Sequence, residues 1–256
     1  SDENILMATS VTCISNSNCL DDSLRVTKLH PNGEFELNKF PVVTKVGISA
    51  FERVSPNVNL ASGYRDISSN VGTSVAAFPV SYPYVINFDD NGIILDSVIL
   101  PITNTYQNLQ VWHGKALKTF SFKNDLVTIG SFARQYSINQ LNTYTPCPVI
   151  WHWNSDTVYT TREILTNYAN HNSEISDEDL IDCDGYQDAF TFAFYKTTDG
   201  TNPDPFPAYV AYIDSSLNVI WDKKVGNLPP QFGYSNIQVR ISPISGEVLI
   251  VGQCIN

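Results

Sequence analysis

A hairpin signature recurs four times along the chain, and it constrains the fold more than any other feature. Its clearest copy is Tyr209-Val210-Ala211-Tyr212-Ile213, then Asp214 to Asn218, then Val219-Ile220-Trp221. The first segment alternates and is rich in aromatic and β-branched residues, as a half-buried strand is. The middle segment is turn chemistry, with short polar side chains that bond their own backbone. Blurred copies lie at Val26–Phe35, Val85–Ile94 and Val149–Val158. Aligned on the turn, they place Gly33, Gly92, Asp156 and Asn218 in one column, residue types that accept positive φ at low cost. A second element follows a similar course. Val248 to Gly252 pairs with Ile237–Ile241 across a turn at Ser242-Pro243 to Gly246, and it has counterparts at Ser74–Phe78, Leu126–Gly130 and Phe190–Phe194. Residues 5–11 read as a further copy of this strand.

Two hairpins in about forty-five residues make a unit the size of a propeller blade, and the copies recur roughly every sixty residues. The expected fold is therefore all-β and propeller-like. It has about four or five blades in one domain over 1–256, with repeats near 12–80, 81–133, 146–197 and 207–254. The strand at 1–11 is extra. It is placed to close the ring, or to pair with a neighbouring subunit, so that no sheet edge stays exposed. Units of the form "strand ending Ile-Val-Gly, loop, hairpin with Asp and Trp" resemble the degenerate blades of bacterial secreted and cell-surface β-propellers. The last copy alone carries the Trp; the aligned positions upstream are Glu36, Leu95 and Tyr159. The resemblance implies an architecture and leaves the function open.

Composition narrows the partners. The net charge is −11, so a phosphate backbone is repelled and nucleic acid is excluded as the expected ligand. There is no basic amphipathic stretch and no apolar run long enough for a spanning helix, so direct membrane insertion is not expected. An apolar fraction of 43% supplies a packed core, and only 16% of residues are charged. Ser1-Asp2-Glu3 running straight into a strand suits a trimmed mature start. The absence of Asn-x-Ser/Thr leans towards a bacterial or viral source. The five cysteines leave several pairings open: Cys13 with Cys19, Cys147 with Cys183, Cys13 with Cys254, or five reduced thiols. At least one disulfide is expected, which points to an oxidising, extracellular setting.

Two stretches carry candidate chemistry. Asp182, Asp184 and Asp188, around Cys183 and Gly185, offer hard oxygen ligands of the kind calcium takes. The spacing is not that of an EF-hand, and a solvated acidic loop is the preferred reading. Trp112, Trp151, Trp153 and Trp221, with abundant Tyr, are candidates for stacking on a sugar, above all Trp151 and Trp153, which share one face of a strand; packing between blades is the preferred alternative. His30, His113, His152 and His171 have no ligand-like spacing. Asp89-Asp90-Asn91-Gly92 is accounted for as a hairpin turn. Residues 161–184 form an acidic insert, with a short helix expected around Arg162–Tyr168, and Thr197–Pro207 is a second long loop suited to binding. No Gly-x-Ser-x-Gly elbow or Gly-rich phosphate loop is present. The expected function is a non-enzymatic, extracellular or surface-associated scaffold that binds another protein. The alternatives are a propeller that binds or cleaves glycans, and a structural component of a virion or surface appendage.

Overall fold

The computed structural model describes residues 5–11, 23–39, 45–66, 81–102, 111–138, 141–154, 157–163, 178–187, 189–196, 208–226 and 233–255. These residues form seventeen strands and no helix. The chain divides into two compact units, Ser1–Ile102 with Trp112–Ser121, and Thr103–Val111 with Phe122–Asn256.

The first unit holds β1 (Ile5–Val11), β2 (Ser23–Leu29) and β3 (Phe35–Lys39), which pair in chain order. It also holds a four-strand meander of β4 (Val46–Ser55), β5 (Val58–Asp66), β6 (Ser81–Phe88) and β7 (Ile94–Ile99). Most of β8 (Val111–Phe122) belongs here and meets β6 in one parallel pairing, Ser81 with His113. The core of this unit gathers Leu24, Val26, Val46, Ala61, Tyr84, Ile86 and Phe88, with Leu6, Ala8 and Phe51 packed against it.

The second unit holds the antiparallel run β9 (Asp125–Ile138), β10 (Leu141–Trp153) and β11 (Val158–Glu163). A second meander follows, of β12 (Glu178–Tyr186), β13 (Ala189–Lys196), β14 (Ala208–Ile213) and β15 (Val219–Lys224). The last sheet has two strands, β16 (Gly233–Ile241) and β17 (Val248–Ile255).

Position in the meander explains each strand's composition. β13 lies between β12 and β14, and Phe190 to Phe194 is buried on both faces. A strand covered on both sides reads as an unbroken apolar run rather than an alternating one. The hydroxyl of its Thr191 donates to the Ala211 carbonyl at 2.9 Å, so burying it leaves no unmet donor. β15 is the outer strand of the same meander, and Ile220, Lys223 and Lys224 are exposed on it.

All four hairpin copies form, as β2–β3, β6–β7, β10–β11 and β14–β15. They share a feature not visible in the sequence. Each carries a β-bulge one pair beyond the turn, at Lys28/Leu29, Asn87/Phe88, His152/Trp153 and Tyr212/Ile213. A bulge places two residues opposite one and sharpens the local twist. Its recurrence at the same register in four hairpins supports the internal repeat independently of residue identity.

Register also corrects two alignments. The left-handed residue of the last turn is Leu217, with φ 62°, and not Asn218; it stands where Gly33 and Gly92 stand, with φ 85° and 70°. Trp221 pairs with Tyr212, and the corresponding positions upstream are Leu37, Asp96 and Thr160, one residue beyond Glu36, Leu95 and Tyr159. Those three share the bulge position with Ile220. In addition, Ser74–Phe78 lies outside the described residues. The strand that pairs with β6, as β13 pairs with β14, is β5. Of the expected helix over Arg162–Tyr168, Arg162 and Glu163 belong to β11, and the rest lies outside the described residues.

Candidate functional site

Asp182 and Asp184 lie two residues apart on β12, so both side chains leave the same face of the strand. One Asp182 oxygen accepts from the backbone N–H of Val239 at 2.9 Å and from the Arg240 guanidinium at 2.7 Å. Asp184 accepts from the N–H of Ile241 at 2.9 Å. Two carboxylates thus take the place of a neighbouring strand along β16, binding every second amide of its outer edge. Burial works against the charge of Arg240, but the hydrogen bond and charge of Asp182 and the charge of Asp184 outweigh it and raise its pKa. Arg240 is therefore a cation at any working pH. Its stabilising contribution would be lost only as the pH rose through values above the ordinary arginine range.

This arrangement answers the calcium expectation in part. Asp182 and Asp184 are committed to β16, and Asp188 lies outside the described residues. Among the described residues, no three His, Cys, Asp or Glu side chains gather as a metal site would require. Cys183, between the two aspartates, is fully buried. Cys13 and Cys19 lie outside the described residues, so the disulfide pairings that involve them are not seen.

Of the two readings of Trp151 and Trp153, packing and sugar stacking, their burial favours packing. Trp151 is 0% exposed and Trp153 is 4% exposed, and the Trp153 indole N–H donates to the Thr128 hydroxyl at 2.8 Å. Neither ring presents a face that a sugar could stack on. Nearby, His152 Nε2 lies 3.1 Å from an oxygen of Asp125, and its ring meets Phe122 edge-on. Both residues stay partly exposed, and the pair steadies the hairpin.

Two open clefts lie in the second unit. One, of about 580 Å³, is lined by Tyr186, Gln187, Tyr212, Asp214 and the turn from Pro243 to Gly246. Tyr212 is held there by a flat stack on Trp221, with ring centroids 5.6 Å apart and planes 7° from parallel. The other, of about 520 Å³, lies among Val210, Trp221, Lys223, Val225, Val248 and Ile250. It is the more apolar of the two, and the Lys223 ammonium lies 5.6 Å from the centre of the Trp221 ring.

Of these cleft residues, sequence reasoning named only Trp221, as one of four tryptophans that could stack on a sugar. The signal available was the last strand itself. Val-Leu-Ile-Val is a run of four apolar residues in an outer strand, and Leu249, Ile250 and Val251 are 55%, 42% and 69% exposed. Runs of this kind on a surface mark interaction sites. No family model matches the chain, and no curated protein matches it.

Proposed function

We propose that this chain is a non-enzymatic protein-binding scaffold of β-propeller type, working outside the cell or at its surface. The observation that carries the reading is the concentration of exposed apolar side chains on strands that end a sheet: Phe35 on β3, Leu95 and Ile99 on β7, and Leu249 to Val251 on β17. Apolar area on outer strands suits contact with another protein. Asp182 and Asp184, two of the candidate calcium ligands, bond β16 from β12. Support for the propeller comes from meanders of consecutive strands with one bulged hairpin per copy, the organisation of successive blades. The extracellular setting rests on the cysteines and the low charged fraction.

The test is affinity capture by the purified protein from envelope and culture extracts of the source organism. A stoichiometric protein partner is expected. Recovery of polysaccharide alone would overturn the reading.

A glycan-binding reading has one observation in its favour. Tyr186 and Tyr212 line the more polar cleft beside Gln187 and Asp214, and an aromatic ring flanked by hydrogen-bonding groups suits a sugar. Under that reading, Tyr212→Ala abolishes retention on a glycan array. Under the scaffold reading, the wild-type protein is not retained at all.

A further inference from the structure

We propose that the outer edge of β17, together with the apolar cleft beside it, receives an extended strand of another protein, one with apolar residues facing the cleft and carboxylates at its flank. The inference rests on the protein-binding reading above and names its surface and the chemistry of its partner.

The open edge follows from hydrogen-bond direction. The N–H groups of Val239 and Ile241 point to Asp182 and Asp184 of β12, respectively, and so away from β17. In an antiparallel pair, directly opposed residues either bond each other or both face outward. Val239 opposes Ile250 and Ile241 opposes Val248, so the main-chain groups of Ile250 and Val248 face the outer side of β17. Among the described residues β17 pairs with β16 alone.

The internal copies show what such an edge takes. β1, β5, β9 and β13 are the strands that occupy the corresponding place, and each has a further antiparallel strand along it, β2, β6, β10 or β14. Several outer strands carry exposed charge, Glu36 on β3, Asp96 on β7, and Lys223 and Lys224 on β15, whereas β1 carries none. Charge on an edge blocks unwanted pairing. β17 reads Val-Leu-Ile-Val-Gly-Gln-Cys-Ile and has none.

The cleft fixes the partner's chemistry. A strand laid along β17 adds main-chain hydrogen bonds at Val248 and Ile250, and alternate side chains of it point the same way as theirs. On that side lie Val225, Trp221 and Val210, which favour apolar residues. Lys223 and Lys224 stand at the rim and outnumber its one carboxylate, Glu247, which accepts from the Ser245 hydroxyl, so the rim favours carboxylates.

The test uses the whole chain and a fluorescein-labelled peptide, Glu-Val-Thr-Val-Thr-Val-Thr-Glu, beside the same peptide with lysine at both ends. The acidic peptide is expected to bind and the lysine peptide to bind about tenfold more weakly. Ile250→Pro removes an outward N–H without breaking the ladder to β16, a place where an outer strand tolerates proline. It should weaken the acidic peptide by about tenfold or more. Lys223→Glu, a change on the surface that does not test folding, should erase or reverse the preference between the peptides. Binding of neither peptide, equal binding by Ile250→Pro, or an unchanged preference in Lys223→Glu would each overturn the inference. So would a concentration-dependent dimer that Ile250→Pro abolishes, since it assigns the edge to a second copy. If extracts yield a protein partner that Ile250→Pro captures as well as wild type, the scaffold reading stands and the β17 site falls. If wild type captures no protein, the scaffold reading itself fails.

Discussion

Gly92 and Gly33 occupy the same place in two copies of one turn, yet they carry different loads. Both have positive φ, which costs a residue with a Cβ about 1 kcal/mol. A Cβ at Gly33 would meet nothing within 4 Å, whereas one at Gly92 would lie 3.3 Å from Val26, in the core of the first unit. Gly33→Ala should therefore cost about 1 kcal/mol of unfolding free energy, and Gly92→Ala about 1 kcal/mol more, measured by denaturant titration. Equal losses would show that the turn, and not the contact with Val26, sets the cost. Gly63 is constrained differently, since a Cβ there would overlap the backbone carbonyl of Gly47 on β4. Gly63→Ala has no side-chain escape and should cost several kcal/mol, on the order of 3, by separating β4 from β5. The glycines of the turns were legible in the sequence. Leu217 was not, because a leucine in a left-handed conformation gives no local signal. It is recognised only by the backbone bonds it shares with Gly92, the N–H of each donating to the carbonyl of the aspartate three residues earlier.

At the scale of the element, the strands that could be read were those whose burial matched their composition. Phe190 to Phe194 of β13 and Ala208 to Ile213 of β14 are buried on nearly every residue and, Thr191 apart, lack polar aliphatic side chains, so they stood out. β5 did not, although Asn59 to Gly63 is just as buried. Its interior holds Asn, Ser and Gly, and specific bonds satisfy the Ser62 hydroxyl and the Asn59 amide N–H groups, but not the buried Asn59 Oδ1. Ser62 shares a 2.7 Å hydrogen bond with Thr119, and Asn59 donates to Asp90 at 2.8 Å. Partners far along the chain supply those bonds, so no window of sequence reveals them. The acidic pair on β12 was visible, but its role was not, since a carboxylate reads the same whether it awaits a cation or a backbone N–H. Asp182→Ala should cost about 2 kcal/mol, because it strands the Val239 amide and Arg240 together, and Asp184→Ala about 1 kcal/mol. Thermal unfolding checks both, and two neutral substitutions would refute the clamp. Trp151 and Trp153 illustrate the converse. Two indoles on one strand face read as packing ahead of a platform, both are interior, and Trp151→Ala should cost about 3–5 kcal/mol in the same assay.

For the molecule as a whole, a repeated hairpin leads to a proposed binding surface. Four copies of one bulged hairpin give the chain its organisation, and a fifth copy of the preceding strand, β17, has among the described residues no strand along the edge that the others have covered. The covered edges and the open one differ in a quantity that can be read residue by residue. In amide hydrogen exchange followed by NMR, Val239, Ile241, Leu249 and Val251 should be protected, the first two by Asp182 and Asp184 and the last two by pairing with β16. Val248 and Ile250 should exchange at rates near those of unprotected amides, and should gain protection when the acidic strand peptide is added. Protection of Val248 and Ile250 in the protein alone, or no gain on adding saturating peptide, would contradict the claim that β17 is an open edge awaiting a partner strand.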